Sequence, residues 1–176
     1  LSNEDTGNVE LVHLVVLADV SGSLETEDTK KLQLLTNQIP KILNNQLLSE
    51  SKFSVVAFAS EALQVCQTET INEYRSSKRN SLSNCLEQIQ SIKKDNQNIN
   101  LRADVGLHTN QVKAFEVGLD IISSDDENYI PVFLLLTDGK LDPMGDANKT
   151  SNSVNSEFDR GYLEVSPKMK NKNIQL

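Results

Sequence analysis

The chain has 176 residues, 38% of them hydrophobic, which is enough for one domain with a sizeable core. Its net charge is −8, from 17 basic against 25 acidic side chains, and it has no tryptophan. Without a basic patch or basic clusters interleaved with aromatics, nucleic-acid binding is excluded as a working reading, and no apolar run is long enough to span a bilayer.

Residues 1–9 are polar and read as a lead-in to a domain covering 10–176. Residue 1 is leucine and no basic-plus-apolar leader precedes it, so the chain reads as an excised piece. Residues 10–18 (ELVHLVVLA) form a near-continuous apolar stretch, the pattern of a strand buried on both faces of a parallel sheet. His13 within it is expected to be a hydrogen-bonded core histidine. Residues 25–48 carry Leu32, Leu35, Ile39, Ile42, Leu43 and Leu47 at helical spacing, with Pro40 predicting a kink or split.

Residues 53–59 (FSVVAFA) read as a second buried strand. Residues 61–67 (EALQVCQ) alternate, and a strand that follows so closely must pair antiparallel. Helices are predicted over 81–94, from Leu82, Cys85, Leu86, Ile89 and Ile92, and just after Thr109-Asn110, from Val112, Phe115, Leu119 and Ile122. Residues 131–136 (PVFLLL) form a third parallel-type strand ending at Thr137-Asp138-Gly139. Residues 140–155 read as a polar loop, and 172–176 as the start of a strand cut off as it begins. Cys66 and Cys85 lie in apolar patterns and read as buried free thiols, with a single bridge as the alternative. Asn148-Lys149-Thr150 is a glycosylation sequon, relevant only in a secreted protein.

Alternating strands and helices imply an α/β, doubly wound, mostly parallel sheet with one antiparallel edge strand. In such sheets ligands bind beyond the carboxyl ends of the strands, near the switch in strand order. Asp19 and Asp138 both fall there. Leaving its strand through Asp19-Val20-Ser21-Gly22-Ser23, the chain can aim one carboxylate and two hydroxyls at a single point. Thr109 adds a third hydroxyl and Asp138 a second carboxylate. Oxygen donors of this kind suit Mg²⁺, with Mn²⁺ or Ca²⁺ as alternatives, rather than zinc. An ion held mainly by neutral hydroxyls can accept a carboxylate from outside, namely a Glu or Asp of a partner protein.

These residues, Asp19-Val20-Ser21-Gly22-Ser23, Thr109 and Thr137-Asp138-Gly139, resemble the metal-ion-dependent adhesion site of von Willebrand factor A and integrin inserted domains. The resemblance runs from about residue 9 to Gly139. It implies a Rossmann-like sheet, with Ser21, Ser23 and Thr109 binding the ion directly and Asp19 and Asp138 often acting through water. It further implies a partner contact built around Gly22, Leu24 and Gly139; His108, where the chain departs from the family, is expected either to narrow the loop or to join that partner surface. Two features depart from the family. The approach to Thr109 reads Gly106-Leu107-His108 rather than glycine-rich, and the chain stops where a further strand and helix are normally found.

For Ser21 and Ser23 alone, turn formation and helix capping would be explanation enough; the company of Asp19, Thr109 and Asp138 favours the metal. The leading expectation is a metal-dependent adhesion or scaffold module, not an enzyme. A Mg²⁺-dependent phosphohydrolase on a similar sheet is the alternative, because Asp19 has the place of an aspartyl nucleophile, yet Ser21 stands where a second carboxylate would be wanted. A structural subunit of a larger assembly is the other alternative. Residues 129–139 are somewhat similar to bacterial intracellular members of the tellurite-resistance type, which favours an intracellular location.

Overall fold

The computed structural model describes residues 10–21, 30–45, 49–76, 83–87, 89, 105–106, 108–123, 128–137 and 151–174. In chain order these give β1 (Leu11–Asp19), α1 (Lys30–Asn45), β2 (Lys52–Phe58), β3 (Ala62–Thr70), α2 (Ile71–Ser76), α3 (Gln111–Ser123), β4 (Tyr129–Leu136) and α4 (Ser151–Asn171). The strands form one sheet in the order β3-β2-β1-β4. β1 pairs parallel with β2 on one side and β4 on the other, and β3 pairs antiparallel with β2. The expected doubly wound sheet with an antiparallel edge strand is therefore present.

β1 is apolar throughout because it feeds two cores. Leu14, Val16 and Ala18 face one layer, with Ile39 and Leu43 of α1, Ile71 and Tyr74 of α2, and Cys85, Leu86 and Ile89. Val15 and Leu17 face the other, with Val112, Phe115 and Ile122 of α3, Phe133 of β4, and Val165 and Met169 of α4. Each fully buried aliphatic side chain contributes about 1.5–3 kcal/mol of transfer free energy, so the period-two alternation of β1 stabilises both layers at once. His13 and the terminal Asp19 are the polar exceptions, and His13 is the one inside the strand. It is 1% exposed, and its Nε2 lies 2.9 Å from Ser54 Oγ, which in turn lies 2.8 Å from Thr68 Oγ1. This polar relay crosses three strands beside the register shift around Ser54 and satisfies the histidine, as expected of a core residue.

Several elements differ from the sequence reading. α1 runs unbroken through Pro40, so the proline does not split it. Arg75 of α2 donates from its guanidinium to the carbonyls of Leu43 and Asn44, satisfying orphan groups at the end of α1. α2 itself was not anticipated. Its start is a reciprocal capping box: the Thr70 N–H donates to Glu73 Oε2 at 3.0 Å, and the Glu73 N–H to Thr70 Oγ1 at 3.2 Å.

α4 is the larger omission. Residues 151–155, read as loop, are its first turn and a half, and residues 172–174 are the turn that ends it rather than the start of a strand. Asn173 is left-handed (φ 52°), the Ile174 N–H donates to the Met169 carbonyl, and the Asn173 N–H to the Lys170 carbonyl. That is a Schellman ending, completed by Ile174 packing on the second core. Cys66 and Cys85 form a disulfide with Cα atoms 5.4 Å apart, which overturns the free-thiol reading. The predicted helix over 81–94 is present at 83–87 and at 89; its remaining residues and the sequon at 148–150 lie outside the described residues.

Three outcomes test this packing. A Cβ on Gly118 of α3 would lie 2.8 Å from Phe133 Cζ of β4, so Gly118→Ala forces helix from sheet and should cost about 1–3 kcal/mol in urea unfolding. Replacing both Cys66 and Cys85 with serine should cost about 3 kcal/mol, because the bridge closes a loop of 19 residues in the unfolded chain. Burial raises the Tyr162 phenol above its ordinary value near 10, while its hydroxyl donates to Gln111 Oε1 at 2.6 Å. The folded state then holds this proton more tightly than the unfolded chain does. The stabilisation is complete below about pH 10 and is lost as pH rises through the folded value. Unfolding midpoints should fall across that alkaline window, and Tyr162→Phe should flatten part of the fall.

Candidate metal centre

The chain order around β1 creates the site. From β1 the chain passes through α1 to β2 on one side; after β3 it returns through α3 to β4 on the other side. The carboxyl end of β1 is thus the switch point, with α1 contributing to one core and α3 to the other. β1 and β4 run in register to Ala18↔Leu136, so the next position of β4's chain, Thr137, falls beside Asp19. Thr137 Oγ1 donates to Asp19 Oδ2 at 2.7 Å. Asp19 Oδ1 accepts the Ser21 N–H at 2.9 Å, an Asx turn that swings the chain out of the strand. On the other side, the Val20 N–H donates to the Phe58 carbonyl at 2.9 Å and extends the β1–β2 ladder past Asp19.

Asp19 is 0% exposed and Ser21 1% exposed. Among the described residues no lysine or arginine pairs with the Asp19 carboxylate. Two neutral donors hold its geometry, but a buried carboxylate without a counter-charge is costly. A hard cation on the loop side would offset that cost, and the hydroxyl-rich donor set fits one. No group of three His, Cys, Asp or Glu side chains gathers among the described residues, so a zinc site of the nitrogen and sulfur kind has no counterpart there.

Thr109 reaches the same end of the sheet by another route. It precedes α3 and is 2% exposed. The Asn110 N–H donates to the Ala59 carbonyl at 2.7 Å, which ties the residue after Thr109 to the residue after β2. Because Phe58 also receives Val20, both hydroxyl-bearing segments are anchored to one short stretch, residues 58–59. The His108 N–H donates to Ser60 Oγ at 3.0 Å, and its side chain is half-buried. Gly106 has φ +74° and a Cβ there would meet Ser60 Oγ at 2.7 Å, so glycine is required at this departure from the family pattern.

The structure therefore brings Asp19, Ser21 and Thr137 together, and fixes Thr109 and His108 to the adjoining turn. Ser23, Asp138 and the expected partner-contact residues Gly22, Leu24 and Gly139 lie outside the described residues. Sequence reasoning passed over two contributors. Thr137 was noted only as part of a motif, although its hydroxyl orients Asp19. Ser60 is the other, and no local signal in the sequence distinguishes it from any other turn serine.

No protein-family model and no curated protein sequence matches the chain. Solved structures do match. BatB, a conserved hypothetical protein from Bacteroides thetaiotaomicron, superposes with a TM-score of 0.61 at 18% identity, over 93% of this chain and 63% of that one. A von Willebrand factor type A protein from Catenulispora acidiphila gives 0.55 at 19% identity, over 89% and 31%. Proximal thread matrix protein 1 from the mussel byssus, in a structure with a zinc-occupied MIDAS motif, gives 0.51 at 16% identity, over 86% and 36%. The chain spans from about a third to just under two thirds of the length of these proteins. At such identities the likeness concerns the backbone. Sheet order, site position and these superpositions agree that the chain has the von Willebrand factor A-type fold.

Proposed function

We propose that residues 10–176 form a protein-interaction module that binds a partner's acidic side chain through a divalent cation. Asp19, Ser21, Ser23, Thr109 and Asp138 would hold the ion, with Mg²⁺ favoured by the hard oxygen donors. The observation that carries this reading is the wholly buried Asp19 carboxylate at the switch point, fixed by the Ser21 N–H and the Thr137 hydroxyl and lacking a basic partner among the described residues. With both Asp19 oxygens engaged by protein donors, its role is electrostatic and orienting. The hydroxyls of Ser21, Ser23 and Thr109 would then supply the direct contacts, leaving the cation with charge to spare for an incoming Glu or Asp. His108, Gly22, Leu24 and Gly139 would border that contact.

The mussel matrix protein supports the reading, since it shares the fold and has an occupied motif of this class. No helix among the described residues is long and apolar enough to cross a membrane, in keeping with a partner that is a protein. The Cys66–Cys85 bridge supports an oxidising compartment, against the intracellular location that residues 129–139 suggest.

Titration with Mn²⁺, followed by electron paramagnetic resonance, tests the metal site directly. One ion should bind per chain, and Asp19→Ala should weaken it by roughly 10–100-fold, as loss of an orienting carboxylate does elsewhere. Stoichiometric binding that survives Asp19→Ala unchanged would sink the proposal. Peptides bearing Glu should be retained on immobilised protein in Mg²⁺ and released by EDTA, while their Gln counterparts pass through.

A further inference from the structure

The segment that carries Thr109 is tied to the turn between β2 and β3. Three consecutive residues between β2 and β3 each contribute one hydrogen bond. The Ala59 carbonyl accepts the Asn110 N–H at 2.7 Å, Ser60 Oγ accepts the His108 N–H at 3.0 Å, and the Glu61 N–H donates to the Val105 carbonyl at 2.9 Å. A fourth bond, from the Ala59 N–H to the Glu61 carbonyl at 2.8 Å, keeps the turn itself tight. Two of the three bonds to the loop are between backbones and persist whatever side chains stand there. Ser60 supplies the third through its side chain.

The steric evidence falls on the same residue. Gly106 lies against Ser60 so closely that an added Cβ would sit 2.7 Å from its Oγ and 2.9 Å from its Cβ. Position 60 must therefore be small and must carry an acceptor. Position 106 must lack a side chain and adopt its positive φ of +74°. Ser60 and Gly106 interlock, and the result is a loop whose next turn buries Thr109 beside the carboxyl ends of β1 and β2.

We infer that Ser60 is a positioning residue for the metal site: its hydroxyl latches the 105–110 loop and sets where Thr109 presents its oxygen. The inference deepens the metal-binding reading and rests on it for its functional consequence. The latch itself is a property of the loop and can be measured without metal. Ser60 acts through the His108 backbone and the Gly106 contact, one and three residues from Thr109.

The test compares wild type, Ser60→Ala and Ser60→Cys, the last nearly isosteric but a poor acceptor, with Ser76→Ala as a remote control on α2. Amide hydrogen exchange without metal should show His108 and Asn110 exchanging faster in both Ser60 variants and unchanged in the control. Mn²⁺ affinity should fall roughly three- to tenfold in both, the effect of one hydrogen bond on a positioned donor, with little change in the apo unfolding midpoint. Unchanged exchange at His108 and Asn110 would overturn the latch. Faster exchange with unaltered Mn²⁺ affinity would overturn its role in positioning. If wild type binds no Mn²⁺, the metal reading fails, and the exchange data alone decide whether the latch exists. If neither Ser60 variant folds, Ser60 is a folding residue and the inference is wrong.

Discussion

The constraint on which the rest depends is the in-register parallel pairing of β1 with β2 up to its last residue and with β4 up to the one before it. Because the β1–β2 ladder reaches Asp19↔Phe58 and the β1–β4 ladder reaches Ala18↔Leu136, three chain segments leave the sheet at one level. Slipping β4 by a single residue would move Thr137 away from Asp19 and reverse which of its side chains enter each core. The 2.7 Å bond from Thr137 to Asp19 is thus a consequence of register. Register in turn is set by burial, since Val132 and Leu134 pack on one layer and Phe133 and Leu135 on the other.

Burial at the site and packing in the cores are linked through short side chains. Gly118 lets α3 settle on Phe133, and Gly161 lets α4 approach Val112 to the point where a Cβ would meet its methyls at 3.0 Å. Val112 lies in the first turn of α3, three residues after Thr109, and its neighbour Gln111 accepts the Tyr162 hydroxyl. The start of α3 is therefore held by α4 on one flank and by the 59–61 turn on the other. The loop that bears Thr109 has little freedom left once both are in place. Such rigidity matters more for hydroxyl donors than for carboxylates, because a neutral oxygen attracts a cation weakly unless it is already in position.

How much of this could be read from the sequence divides along physical lines. β1, β2 and β4 were legible because near-continuous runs such as LVVLA have no satisfactory environment except a sheet covered on both faces. The antiparallel β3 followed from connection length alone. α2 was missed although Thr70-Ile71-Asn72-Glu73 spells a capping box, because six residues are too few to show a periodic apolar face. α4 was missed for the opposite reason. Its asparagines and serines, with Gly161 and Pro167, disfavour helix locally, and its tertiary anchors among the described side chains follow the narrow row of Gly161, Val165 and Met169 with Tyr162 beside it. Spacing of four along that row was the available signal. The disulfide and the Ser60 latch had none, since each depends on distance between residues far apart in the chain.

The motif at the site carries a chemical suggestion but no signal of its mechanics. D-x-S-x-S names the donor atoms, yet the described geometry shows the Asp19 carboxylate already occupied, by the Ser21 N–H within the motif and by Thr137 118 residues away. Under the proposed reading, a carboxylate so engaged would contribute field and orientation and would leave direct contact with an ion to the hydroxyls. Of the hydroxyl-bearing residues, Ser21 and Thr109 are described, and the segments that carry them are tied by backbone bonds to residues 58–59. The end of β2, which supplies no candidate ligand, therefore positions both segments. Substitutions along 58–61 and at Gly106 should act on the site through position, whereas substitutions at Asp19 act through charge.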